Sequence, residues 1–266
     1  MRVFLASLAL LAAAFAASAA ESAKRPNFIV VMADDCSAKE YSLYGNTEIR
    51  TPRLDSMGAE GVWFRTCWSA PICSPSRAMI MTGRYAYRTK WYHNDMKPAA
   101  PEPGYDISKE NIIFAQALKD AGYATGVCGK WQLSGVESAY GFDEAYMHQA
   151  TKDFTGPIEP LEGSLPGRPA RYWHPAITYQ GKQIPTGPDD YAEDMYVEFI
   201  LDFAKRHRSQ PFLVYYPMSL PHITWDFDLN RMGYVAPPEL DANGRKTGRK
   251  GEPTLKASVE YIDHLM

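Results

Sequence analysis

The nine residues NFIVVMADD, positions 27–35, decide how the rest of the chain is read. Phe28 to Met32 is an unbroken apolar run with a β-branched centre and no polar alternation, the pattern of a strand buried on both faces of a parallel sheet. It stops abruptly on two adjacent carboxylates, Asp34 and Asp35. In an α/β domain ligands sit beyond the carboxyl ends of the strands, so these acids fall where a site belongs.

Helix and strand signals alternate along the rest of the chain. Residues 52–60 start on Pro52 and stop before Gly61, which suits a short helix, and 62–68 suits an extended segment. Ser108 is placed to cap a helix over KENIIFAQALKDAG, 109–122, and residues 123–128 form the next strand, leading to Gly129-Lys130. Residues 133–189 are rich in Gly, Pro and aromatics and predict long loops over one face. Tyr191, Met195, Phe199 and Phe203 then recur at helical spacing, and PFLVYY, 211–216, is a second buried strand. The fold class is therefore α/β: a mostly parallel sheet flanked by helices.

Composition agrees with one folded domain. The 266 residues are 45% hydrophobic and 22% charged, with a formal net charge of −3, and no basic block suggests nucleic acid. Residues 1–20 read as a signal peptide: Arg2, an apolar stretch, then Ala17-Ser18-Ala19. Its loss makes the mature chain, 21–266, one charge more acidic, and no other run is long and apolar enough to span a membrane. The predicted location is secreted or periplasmic. Of four cysteines, Cys67 and Cys128 lie in apolar contexts and are expected as small buried hydrophobes; two disulfides are open in an oxidising compartment but not needed at this size.

Four polar groups follow the strands or a turn. Adjacent Asp34 and Asp35 repel, and hard oxygen donors favour calcium or magnesium, although a solvated turn is the commoner fate of a bare acidic pair. PICSPSRAMIMTG, 71–83, puts Cys73 ahead of Pro75 and Arg77; a buried cysteine before an ordinary helix start is the plain alternative. Lys130 after its strand suits an anion or simple solvation. His222, just past PFLVYY, suits proton transfer or a structural hydrogen bond. Their shared position at one sheet edge points to an anionic substrate on a divalent cation.

Taken in order, these residues resemble the sulfatase family of the alkaline-phosphatase-like superfamily. PNFIVVMADD is similar to its opening strand and first two metal ligands, PICSPSRAMIMTG to its C-x-P-S-R modification site running into Thr82-Gly83-Arg84, GYATGVCGKW to its second motif, and LPHITW to its later P-H element. The resemblance covers nearly all of the mature chain. It implies that a formylglycine-generating maturation enzyme converts Cys73 to Cα-formylglycine, whose hydrate attacks the sulfur of a sulfate ester, then releases sulfate and regenerates the aldehyde. It further implies Ca2+ on Asp34, Asp35 and the modified Cys73, with Arg77 holding the diol and the carboxylates. Lys130 and His222 would contact the sulfate, His222 protonating the leaving alcohol.

Two departures stand out. The family commonly has histidine after G-K-W, assigned to removing the diol proton; this chain places Gln132 on that substrate-facing position, and an amide is not a base at ordinary pH. The family also draws two further metal ligands from a later D-N or D-H pair, and this sequence stops at VEYIDHLM. The resemblance thus implies an N-terminal portion of the fold, with the C-terminal part missing and little activity alone. The expected substrate is a sulfated glycan or small molecule. A phosphate or phosphonate ester hydrolase of the same superfamily and a non-catalytic secreted binding protein are the alternatives. The aromatic stretches YAYRTKWYHN, 85–94, and RYWH, 171–174, could line a sugar cleft or merely pack loops.

Overall fold

The computed structural model describes residues 25–94, 106–159 and 167–266; the predicted signal peptide lies outside the described residues. Its centre is a six-stranded sheet in the order β1-β6-β2-β3-β4-β5. β1 (Phe28–Met32), β6 (Phe212–Pro217), β2 (Ala124–Gly129) and β3 (Glu144–His148) pair in parallel. The hairpin β4 (Ile177–Tyr179) and β5 (Lys182–Ile184) adds an antiparallel edge. The expected long loop over 133–189 thus contains three strands. Their signals are short, and β3 alternates between buried and half-buried residues rather than forming an apolar run.

Period two along β6 divides the core. Phe212, Val214 and Tyr216 face one layer with Tyr196, Phe199, Ile200 and Phe203 of α6 (Ala192–Arg206) and Tyr261 and Ile262 of α7 (Leu255–Leu265). Leu213 and Tyr215 face the other layer with Ala78 and Met81 of α2 (Cys73–Thr82) and Ala115 of α5 (Phe114–Asp120). The predicted helix over 52–60 is present as α1 (Pro52–Glu60).

Four local expectations are corrected. β1 pairs in parallel as predicted, but it is the edge strand, and Ile29 is 51% exposed where full burial was expected. Residues 62–68 form no strand, and Trp68 is exposed. The helix expected from Ser108 is two short ones, α4 (Ile107–Glu110) and α5, broken at Asn111; the cap is Asp106, whose carboxylate accepts from the Ser108 amide. Cys128 is buried as expected, but Cys67 is exposed, and all four cysteines are free thiols.

Two features fix the carboxyl edge of the sheet. The first is Gly129, at φ +114°, where a Cβ would lie 2.2 Å from the Pro217 carbonyl oxygen. Only glycine brings the end of β2 so close to β6, and the next amide, Lys130 N–H, donates to that carbonyl at 2.8 Å.

The second is Glu193, fully buried in the first turn of α6. Its carboxylate accepts from the Tyr216 hydroxyl and from the amides of Ser219 at 2.8 Å and Leu220 at 3.1 Å. It thereby ties α6 to the turn that leads, through a cis Leu220–Pro221 bond, to His222. The same turn accepts at the Leu220 carbonyl from the Asp34 amide, 2.8 Å, while Tyr172 donates to the Ser219 carbonyl. Burial pushes the Glu193 carboxyl up to about 7, against the lowering by its three donors.

Two stability outcomes follow from these features. Gly129→Ala should lose roughly 3 kcal/mol in a urea melt, because backbone must move to clear the Cβ. For Glu193 the folded state holds its proton more tightly than the unfolded chain, so its contribution falls as pH rises from about 4.5 to about 7. Glu193→Gln can accept from the same two amides and donate to Tyr216. Its stability should therefore fall less across that window, the two chains diverging by up to about 3 kcal/mol between pH 4.5 and 8. Equal slopes for the two chains would contradict the assignment.

Candidate active site

Asp34 is the centre of the site. It leaves the end of β1 almost fully buried, with Lys130 Nζ 2.5 Å from Oδ2 and Arg77 Nη2 3.5 Å from Oδ1. Burial raises the Asp34 carboxyl, but the charges of Lys130 and Arg77 outweigh it and hold the group below the ordinary carboxylate range. The partners respond in turn. Burial and the nearby Arg171 depress the proton affinity of Lys130, and Asp34 only partly opposes them.

Arg77 arrives on the second turn of α2, wholly buried, and also donates through Nη1 to the Lys130 carbonyl at 2.5 Å. Arg77 is thus no solvated helix residue but part of the interior. Cys73 is the first residue of the same helix, one turn earlier, so the i, i+4 spacing puts both on one helix face. It is buried, with Asn94 Nδ2 3.8 Å from Sγ, and Asn94 Oδ1 accepts from the Ser74 amide at 3.0 Å. Ser74 Oγ donates to the Gln132 carbonyl at 2.8 Å, which places Gln132 beside the cysteine turn. Gln132 has a left-handed backbone, φ +56°, and its buried Oε1 has no hydrogen-bond partner among the described residues.

His222 closes the site from β6. Its Nε2 is 3.4 Å from Asp35 Oδ2, and its Nδ1 is 2.9 Å from Arg171 Nη1. A guanidinium can only donate, so the Arg171 contact calls for an accepting Nδ1 and a proton on Nε2, whereas the Ile223 carbonyl, 2.5 Å from Nδ1, calls for a donating one. Burial, then Lys130 and Arg171, push the proton affinity of His222 below the usual histidine range.

The two adjacent acids are held differently. Asp35 adopts φ +59° and points outward with a 56% exposed side chain. The ligand atoms that converge, all within 4.8 Å of one another, belong to Asp34, Cys73 and His222. The structure thus brings Asp34, Cys73, Arg77, Lys130 and His222 together, sets Asp35 at the rim beside His222, and puts Gln132 behind Ser74. Sequence reasoning missed Glu193 and gave Asn94 and Arg171 only a place in a cleft. No local motif marks these three; only the tertiary fold brings them to the edge.

A protein-family model for Sulfatase matches residues 26–259. Human steryl-sulfatase is 41% identical over 156 residues, 54% of this chain and 27% of the relative. The N-acetylgalactosamine-6-sulfatase of Canis lupus familiaris is 30% identical over 232 residues, 81% of this chain and 43% of the relative. Among solved structures, BT4656 in complex with its substrate D-glucosamine-2-N,6-O-disulfate aligns with a TM-score of 0.58 at 28% identity, over 76% of this chain and 36% of that one. The chain therefore spans less than half the length of these relatives. With the parallel sheet and the family match in agreement, this chain belongs to the sulfatase family.

Proposed function

We propose that this chain carries the nucleophile half of a sulfuric ester hydrolase that acts outside the cytoplasm on a sulfated carbohydrate or small molecule. The observation that supports it best is the Cys73–Arg77 helix turn packed on the buried Asp34–Lys130 pair. A cysteine that served only as packing would not need two buried cations and an acid a few ångströms away.

In this reading Cys73 is the substrate of a formylglycine-generating enzyme, and its modified form supplies an oxygen nucleophile. As encoded, sulfur and imidazole are softer donors than calcium prefers. An oxygen at position 73 together with Asp34 and Asp35 makes the set fit a hard cation. Bound there, Ca2+ would supply positive charge to offset the negative charge of the sulfuryl oxygens. Asp34 is held ionised for it by Lys130 and Arg77, Lys130 presents its ammonium to the sulfate, and Arg77 fixes the cysteine turn against Asp34. His222 presents Nε2–H toward the leaving oxygen; its lowered proton affinity makes it a ready donor once a proton is on the ring. Calcium takes six to eight oxygens, so we infer that residues beyond this chain complete its sphere.

The names of the relatives support a sulfate ester on a hexosamine or a sterol. Between these we favour a sugar, because the N-acetylgalactosamine-6-sulfatase match covers 81% of this chain against 54% for steryl-sulfatase.

The test is mass spectrometry of the tryptic peptide TCWSAPICSPSR, 66–77, from a host with a formylglycine-generating enzyme. Thiol-to-aldehyde conversion is expected at Cys73 and not at Cys67. An intact Cys73 thiol, with a known sulfatase converted in parallel, would favour a non-catalytic binding protein. The 266-residue chain alone should hydrolyse 4-nitrophenyl sulfate no faster than its Cys73→Ala variant. A clear excess would show that the sphere is complete without further residues.

A further inference from the structure

Arg171 is 8% exposed yet takes part in no ion pair among the described residues. The groups that it touches are neutral: His222 Nδ1 at 2.9 Å and the hydroxyl of Tyr172. Its Nε is buried without a hydrogen-bond partner. The other two buried cations of the site, Arg77 and Lys130, share Asp34, so Arg171 is the one left without an acid. An uncompensated buried charge is costly, and such a charge persists where a ligand completes it.

The acids near Arg171 are already engaged. Asp226 accepts from the amides of Asp228 and Leu229 in its own turn, Asp228 pairs with Lys250 at 2.5 Å, and Glu159 accepts from Thr224. Arg171 and Asp226 line one groove with Trp173, Trp225 and Lys250, and Lys250 Nζ lies 5.2 Å from the centre of the Trp173 ring. Arg171 therefore touches His222 with one nitrogen and lines a small pocket with Trp173 and Trp225, where Lys250 covers the Trp173 ring.

We propose that Arg171 is a second anion-binding position, so that the preferred substrate carries another anionic group, a sulfate or a carboxylate, a few bonds from the scissile sulfate ester. This rests on the sulfate-ester reading of the site and adds a substrate class to it. The fork of a guanidinium suits either oxyanion. His222, touched by Arg171 on Nδ1, would lie between the two anions, its Nε2–H directed to the ester bridge.

Non-hydrolysable sulfonates test binding without turnover. Methanesulfonate, sulfoacetate and ethane-1,2-disulfonate are titrated calorimetrically into the chain at fixed ionic strength. The two-anion probes are expected to bind about tenfold tighter than methanesulfonate, and Arg171→Gln should bring that ratio to about one. Arg171→Lys, which keeps the charge, should retain part of the ratio and guards against misfolding. Arg249→Gln removes an equal charge from the surface, where Arg249 pairs with Glu239, and should keep the whole ratio. Whichever of sulfoacetate and ethane-1,2-disulfonate gains more identifies the second group. Equal binding of all three probes, or a ratio that survives Arg171→Gln, overturns the second position alone. Failure of every probe to bind the unsubstituted chain likewise overturns the second position, whereas the sulfate-ester reading is judged separately, by the conversion of Cys73.

Discussion

The site depends on keeping one carboxylate ionised where there is almost no water. Asp34 is 2% exposed, and burial alone would neutralise it. Lys130 and Arg77 reverse that outcome, and each is brought by a different element. Lys130 comes from the end of β2, where Gly129 lets the chain pass against Pro217, and Arg77 from one turn inside α2. The same α2 turn starts with Cys73, so the constraint that keeps Asp34 charged also sets Cys73 beside it.

His222 is held by a separate device. Its turn hangs from the Glu193 carboxylate, two Tyr172 hydrogen bonds and the Asp34 amide. Backbone groups therefore link the turn of His222 to the residue whose side chain anchors the cations. A shift of α6 would move His222 relative to Asp34, although no residue of α6 is a candidate to touch substrate. This places part of the control of the site in a helix whose sequence reads only as an amphipathic stripe.

What the sequence made legible and what it hid follow from range. The parallel strands β1, β2 and β6, with α1, α6 and the positions of Asp34, Cys73, Lys130 and His222 at one edge, follow from local pattern, because apolar runs and Gly/Pro stops are local signals. Edge or centre is not local: β1 reads as doubly buried because parallel strands usually are, yet it has a neighbour on one side only among the described residues. Its exposed Ile29 and Val31 share a groove with Val62, Trp63 and Phe64, the apolar stretch misread as a strand. The opposite fates of Asp34 and Asp35 were hidden as well, since the left-handed φ of Asp35 turns the second acid away only once the sheet edge is built. Arg171 and Glu193 carry no spacing signal at all, and their roles rest on contacts 51 and 26 residues distant in sequence.

The cation excess also bears on Gln132. Lys130, Arg77 and Arg171 outnumber the one buried acid among the residues that face the site, and their field already lowers the proton affinity of His222. At the end of β3, burial and then Arg171 push His148 to about 3, which rules it out as the base that Gln132 cannot be. At 132 the buried Oε1 of the amide has no hydrogen-bond partner among the described residues, and the backbone carbonyl, not the side chain, receives Ser74 of the cysteine turn. The field that weakens bases in this site strengthens its hold on anions, so anion binding is the property the buried charges favour most.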